Sequence, residues 1–377
     1  MQSYDRLHYM DNLRALTMLA GVVFHAALAY SPLMHSVWPL ADTGQSQVAD
    51  VVAWFSHLFR MPLFFVVAGF FAAMLAARHG IGGLFRNRSL RVLLPLMLFL
   101  PLVLISMQWL TANAVANVAH PSPMLAWLRT WVAQNGEMPS MPSWAHLWFL
   151  FYLMLFTVLV WVGSALGLRH IGDRIFALPP AALVLLLPLA LAMPLSGTTI
   201  PWAAPEFLLP SLWALAFFGL YFALGYQVFH RPAMINRIGA LAPALLVSAL
   251  VAYAVLFVMT GGFTAKTASS LQRPLLILLE AAAGLWMTLW CLFAGKRWLD
   301  KKQVTMRWLA DASYWVYLVH LPLLFAIQYR LLDLPLHWAA KFAIAVLVTF
   351  AASLASYQLL VRHTIVGTLL NGHRPRA

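Results

Sequence analysis

The sequence predicts an all-α integral membrane protein of about ten transmembrane helices, with both termini in the cytoplasm. Three observations carry this. Hydrophobic residues make up 63% of the chain and charged residues only 9%, against about 25% charged in an ordinary soluble domain. Apolar runs of roughly 18 or more residues recur along the whole length, each enough to cross about 30 Å of hydrocarbon. Ionisable residues stand inside several of those runs, where each costs about 2.5–3.5 kcal/mol or more and so normally faces the bundle interior. A large soluble domain is excluded on composition alone.

The expected spans are 12–33, 48–77, 91–112, 145–166, 178–196, 207–228, 239–260, 273–295, 308–328 and 338–361. No linker or repeat divides them, so residues 1–377 read as one domain. The first run holds Arg14 and His25 and ends without a small-residue cleavage site, so it reads as a mature helix and not a signal peptide. The second is long and has Pro62 near its middle. Proline at depth breaks the backbone ladder and needs protein or water around it, so residues 57–70 are expected to line an interior cavity. The longest outer loop, 113–144, is rich in proline and tryptophan, and Met124 to Gln134 reads as a short interfacial helix. Its Trp127 and Trp131 suit either a membrane-anchoring belt or an aromatic platform for a sugar.

The formal charge of +13 would suggest nucleic acid in a soluble protein. Here the basic residues sit in short loops, which is the positive-inside pattern. With a cytoplasmic N-terminus, the inner segments hold Arg6, Arg14, Arg78, Arg86, Arg88, Arg91, Arg169, Arg174, Arg231, Arg237, Lys296, Arg297, Lys301, Lys302, Arg307, Arg362, Arg374 and Arg376. The outer segments hold only Arg129, Lys266, Arg273, Arg330 and Lys341, and Arg60 lies within a span. The single cysteine, Cys291, lies in an apolar run and reads as packing, with no basic partner near it in sequence.

The candidate chemistry lies in the spans. Arg14 and His25 are eleven positions apart in DNLRALTMLAGVVFHAALAY. Eleven steps of 100° return to within about 20° of the same helix face, some 16 Å further along. Asp11, one turn before Arg14, is placed to pair with it. His57 and Arg60 are one turn apart before FFVVAGFF. A cation at that depth must meet a carboxylate, carbonyls, water or an anionic ligand, and Glu280 in the eighth span is the structural partner to weigh. His146, in SWAHLWFLFY, opens the fourth span, and His320, in DASYWVYLVHLPLL, lies deep in the ninth. Each alone reads equally as helix–helix glue. Together they argue for a polar interior with a task. The short loop RHGIGGLFRNRSLR carries Arg78, Arg86, Arg88 and Arg91. Topology and anionic lipid explain part of that cluster, and guanidinium groups also match phosphate oxygens bidentately. No Cys/His metal spacing, P-loop or nucleophile elbow appears, so no metal and no resident cofactor are expected.

These segments resemble the membrane acyltransferase 3 family. Arg14-x10-His25 is similar to its signature, and FFVVAGFF at 64–71 looks like its FFxxSGF segment with Ala68 in place of serine. The Arg-rich loop at 86–91 followed by Pro95, HLWFL at 146–150 and SYWVYLVHLP at 313–322 match three further segments, and FALGY at 222–226 a fourth more weakly. YMDNLRA, SHLFRMPLFF, WAHLWFL and YLVHLPL look most like the branch that succinylates periplasmic glucans. The resemblance implies an O-acyltransferase of the bacterial inner membrane. Its donor would be a cytoplasmic acyl-CoA (succinyl-CoA, or acetyl-CoA) and its acceptor a hydroxyl of a periplasmic or extracellular glycan. His25, Arg14, Asp11 and Arg60 would form the catalytic set. Arg86, Arg88, Arg91, His57, His146, Glu280, Tyr314 and His320 would bind substrate. His25 would serve as general base or as an acyl-histidine nucleophile, and both remain open. Ala68 removes any hydroxyl role at that position. With no appended outer domain expected, transfer would finish within the bundle or pass to another protein.

An exporter of polysaccharide or lipid-linked sugar is the competing class, because intramembrane charges mark transport paths as readily as active sites. No pattern of paired broken segments favours it. A lipid-sensing scaffold would need no Arg14–His25 register.

Overall fold

The computed structural model describes residues 8–139, 142–167, 178–263 and 271–372, and every regular element among them is helical. Arg6, Arg169, Arg174, Lys266, Arg374 and Arg376, which carry part of the orientation reading, lie outside the described residues. The helices are α1 (His8–Leu28), α2 (Gln47–Arg88), α3 (Leu94–Asn117), α4 (Pro123–Asn135), α5 (Trp148–Ala165), α6 (Pro180–Leu195) and α7 (Leu212–His230). They continue as α8 (Ala233–Gly239), α9 (Ala242–Met259), α10 (Arg273–Trp298), α11 (Val304–Leu331), α12 (Trp338–Ser356) and α13 (Ile365–Asn371).

Each expected span falls on a helix. Seven helical stretches are long and apolar enough to cross a membrane. One of them, Gln47–Asn117, runs through α2 and α3 and so holds two expected spans. The seven leave out α1, which carries Asp11, Asn12, Arg14 and His25, and α6, which has 16 residues. Large apolar side chains are exposed on the outer faces of the bundle, among them Leu102, Ile105 and Trp109 of α3, Val251 and Val258 of α9 and Leu347 of α12. So much exposed hydrocarbon suits lipid and not water.

Local chemistry sets the ends. Ser46 caps α2 by accepting from the Val48 N–H, and Ser122 caps α4 by accepting from the Leu125 N–H. Pro95, Pro123, Pro180 and Pro274 sit in the first turns of their helices, where a missing N–H costs nothing. Helix α2 outruns the expected boundary at 77 because no residue stops it there. Its path breaks at Gly80, whose φ of 69° suits glycine. A π-helical turn, Ser89–Leu93, then leads into α3.

The centre of the bundle is α1, α2, α7, α10 and α11. A Cβ on Gly69 of α2 would stand 2.0 Å from the Phe222 carbonyl oxygen, and one on Gly225 of α7 would stand 1.8 Å from the Val66 carbonyl oxygen. The two helices therefore cross backbone to backbone, through a reciprocal glycine at each side. Residues 57–70 of α2 are almost wholly buried, as the position of Pro62 predicts. The interfacial helix expected at 124–134 is α4, with Leu125 and Leu128 buried and Trp127 and Trp131 exposed.

Candidate functional site

Four histidines and one arginine from four parts of the chain meet in the bundle centre. The ring centroids of His25 (α1) and His320 (α11) lie 5.1 Å apart, those of His146 and His320 4.9 Å, and those of His25 and His146 6.5 Å. His57 (α2) stacks on Phe24 at 5.1 Å, and the Arg60 guanidinium lies over the Phe24 ring, 4.6 Å from its centre. His57, Arg60, His146 and His320 are buried and His25 is partly so.

Hydrogen bonds assign the imidazole protons. His320 Nδ1 faces the carbonyl oxygens of Tyr317 at 2.8 Å and Val316 at 3.2 Å. A carbonyl only accepts, so Nδ1 carries the proton. His320 Nε2 lies 3.0 Å from His25 Nδ1. In the neutral pair Nε2 of His320 accepts and Nδ1 of His25 donates. The lone pair of His25 then sits on Nε2. This is the arrangement of a base whose tautomer is fixed by a second group.

His146 lies on the short turn Ala145–Leu147 that leads into α5. Its Nε2 donates to the Tyr317 carbonyl at 3.0 Å, and the Tyr317 hydroxyl donates back to the His146 carbonyl at 2.7 Å. Pro322 brings no N–H to the neighbouring Leu318 carbonyl one turn back. His57 Nε2 donates to the Trp202 carbonyl at 3.0 Å. That leaves Nδ1 of His57, Nδ1 of His146 and Nε of Arg60 buried without a partner. Among the described residues these three polar atoms have no protein partner, which leaves them free to hydrogen-bond a substrate.

Glu280 does not meet Arg60. Its Oε1 accepts from the Trp202 N–H at 2.8 Å, and no ion pair to Arg60 occurs among the described residues. The structural pairing weighed from sequence is therefore absent, and Glu280 lies behind Trp202.

Below the cluster, towards the arginine-rich end, lies a cavity of about 710 Å³. Arg14, Arg78, Arg88 and Arg91 line it with Asp11, Asp311 and Tyr314. Asp11 pairs with Arg14 at 3.4 Å, as their spacing predicts, and Arg14 also covers the Phe71 ring. Arg88 donates to the Ala68 carbonyl at 3.2 Å, and the Tyr314 hydroxyl donates to the Arg91 carbonyl at 2.8 Å. Arg86 is exposed and outside the lining, so the structure separates it from Arg88 and Arg91. The inner end of the cavity is apolar, formed by Met18, Phe64, Val67, Phe149 and Leu150. No histidine lines it. Two helices bridge the gap. On α11, Tyr314 stacks near Tyr317 at 6.5 Å, and Tyr317 lies 6.2 Å from His320. On α1, Met18 stands two turns before His25.

The sequence had marked Tyr314 and His320 but not Tyr317 between them. The signal was present, because the three recur at steps of three along one face of α11. Trp202 and Phe24 carried no such signal. Ala68 lines the cavity where the family serine would stand.

Residues 7–358 match the model of a family described as an acyltransferase domain, Acyl_transf_3. The chain is similar to the glucans biosynthesis protein C of Salmonella schwarzengrund, at 26% identity over 328 residues covering 84% of this chain and 82% of the relative. The proteins of the same name from Salmonella typhi and Salmonella typhimurium match to the same extent. No solved structure matches.

Proposed function

Because the chain belongs to the acyltransferase 3 family, matched from residue 7 to 358, we propose that it carries an acyl group from a cytoplasmic acyl-CoA to a glycan hydroxyl on the outer face of the bacterial inner membrane. Succinyl is the favoured group and acetyl the second. In this reading the bundle crosses the membrane ten times and the arginine-rich end faces the cytoplasm, as the basic loops require. The observation that carries the reading is the bare Nε2 of His25, held by His320 above a cavity ringed with guanidinium groups.

Arg14, Arg88 and Arg91, with Arg78, suit the phosphates of the donor. Its pantetheine arm follows the α1 face from Arg14 past Met18, so that the thioester comes up to His25. Nε2 of His25 takes the proton of the acceptor hydroxyl. The oxygen attacks the thioester carbonyl carbon, the C–S bond breaks, and the proton passes from His25 to the departing thiolate. His320 steadies the imidazolium formed on the way. Arg60, which pairs with no carboxylate among the described residues, binds the succinyl carboxylate or the developing oxyanion. The names of the similar Salmonella proteins, which refer to glucan biosynthesis, support a glycan as acceptor.

The test is acyl transfer by purified protein with labelled succinyl-CoA and a periplasmic glucan. Wild-type protein is expected to label the glucan and His25→Ala to lose at least about a hundredfold in kcat. Undiminished transfer by His25→Ala removes the catalytic assignment. Retention of unmodified glucan inside a deletion strain would support the exporter instead.

A further inference from the structure

On the side of the cluster away from the cavity, a loop residue is driven into the bundle. Trp202 belongs to the segment between α6 and α7, yet it is 0% exposed. Connecting segments normally run over surfaces, and their backbone groups need partners wherever they do not. Both backbone groups of Trp202 are held from the bundle. Its N–H donates to Glu280 Oε1 at 2.8 Å, and its carbonyl accepts from His57 Nε2 at 3.0 Å. The indole and the His57 imidazole lie 3.8 Å apart between centroids.

From there the contacts lead inward. His57 stacks on Phe24, Phe24 carries the Arg60 guanidinium, and the Phe24 ring lies 5.1 Å from that of His25. Glu280 is 2% exposed and stands at the head of this chain. Its other oxygen, Oε2, has no hydrogen-bond partner, and neither has the neighbouring Tyr221 hydroxyl. A buried carboxylate is expensive, and the one hydrogen bond this one makes among the described residues is to Trp202.

We propose that Glu280 is a positioning residue, which fixes Trp202 as the wall of the reaction chamber opposite the arginine-lined cavity and, through Trp202, sets His57 and Phe24 under Arg60. The acceptor side of the chamber is then built on a hydrogen bond from a loop, whereas the donor side is built on helices. This inference rests on the acyl-transfer reading for its kinetic consequences and on the geometry alone for the rest.

Two measurements on the full chain in detergent test it. The first is amide hydrogen exchange across residues 200–206. Glu280→Met, of similar size and without a strong acceptor, is expected to speed exchange about tenfold or more, while Glu280→Gln keeps an oxygen for the Trp202 N–H and stays within about twofold of wild type. The second is acyl transfer. Glu280→Met is expected to lower kcat about tenfold to a hundredfold with the donor KM within about twofold, and Glu280→Gln to restore most of the rate. Trp202→Phe keeps both backbone bonds and loses part of the ring contact, so it guards against a Glu280 variant that fails to fold. It is expected to show wild-type exchange and a reduced kcat. Unchanged exchange in Glu280→Met overturns the proposal, as does fast exchange with a wild-type kcat. Equal losses in Glu280→Gln and Glu280→Met also overturn it, because they assign the effect to the charge. If wild-type protein transfers no acyl group, the acyl-transfer reading fails and the exchange result still decides whether Glu280 holds Trp202.

Discussion

His25 and His320 share one hydrogen bond of 3.0 Å across α1 and α11, and its direction is set from outside the pair. The carbonyl oxygens of Val316 and Tyr317 occupy His320 Nδ1, so only Nε2 is left to face His25. A base orientated this way works because its partner accepts. Removing the acceptor while keeping the ring volume tests that. His320→Phe is expected to lower kcat about a hundredfold or more and to leave the donor KM near wild type. A loss carried by KM alone would show that His320 shapes the donor site and does not orient the base.

The cavity separates the arginines that sequence had grouped. Arg88 and Arg91 line it and Arg86 does not. If guanidinium groups hold donor phosphates there, Arg88→Ala and Arg91→Ala are each expected to raise the donor KM about tenfold or more, in line with about 1.5–3 kcal/mol for a charged hydrogen bond. Arg86→Ala is expected to stay within about twofold. Steady-state kinetics with acyl-CoA as the varied substrate reads all three, and an equal effect of Arg86→Ala would mean that the loop acts through its overall charge.

What was legible in the sequence followed from periodicity and cost. Arg14 and His25 share a face because eleven residues nearly complete three turns, and α1 indeed runs unbroken through both. The deep positions of His57, Arg60 and His320 were each readable as expensive, whereas His146 reads only as the opening of its span, and the structure buries it with the other three. The partners were not readable. Trp202 comes from a loop, and nothing in a short connecting segment marks the residue that folds inward. Glu280 looked like the natural mate for Arg60 because opposite charges in hydrocarbon should pair, but distance along the chain says nothing about which face of α10 meets α2. The end of α2 was misplaced for a related reason. Apolarity stops where hydrocarbon stops, whereas the helix only breaks its path at Gly80 and runs on to Arg88.

Arg60 has a ring beneath it and, among the described residues, no carboxylate paired with it. An anionic acyl group would supply the missing charge, and a neutral one would not. Arg60→Ala is therefore expected to lower kcat/KM for succinyl-CoA about tenfold more than for acetyl-CoA. Competition between the two donors in one reaction measures the ratio directly. Equal losses would assign Arg60 to the oxyanion, which both donors generate.

The crossing of α2 and α7 places the cluster, and it depends on having no side chain at two positions. Gly69 and Gly225 face each other's helices at distances where a Cβ would overlap a carbonyl oxygen, at 2.0 and 1.8 Å. Gly225→Ala forces the helices apart along the stretch of α2 that carries Arg60 and Phe64. Overpacking of this kind costs about 1–3 kcal/mol when side chains can yield. Here the obstacle is backbone, so the cost belongs at or above that range. Gly163 of α5 has nothing near its missing Cβ and serves as the control. Gly225→Ala is expected to lower the midpoint of thermal unfolding in detergent by several degrees and to reduce transfer, while Gly163→Ala, at an exchange of glycine for a better helix former, holds or raises it. A wild-type midpoint in Gly225→Ala would mean that α7 can move off α2 freely, and that the glycine contact does not fix the site.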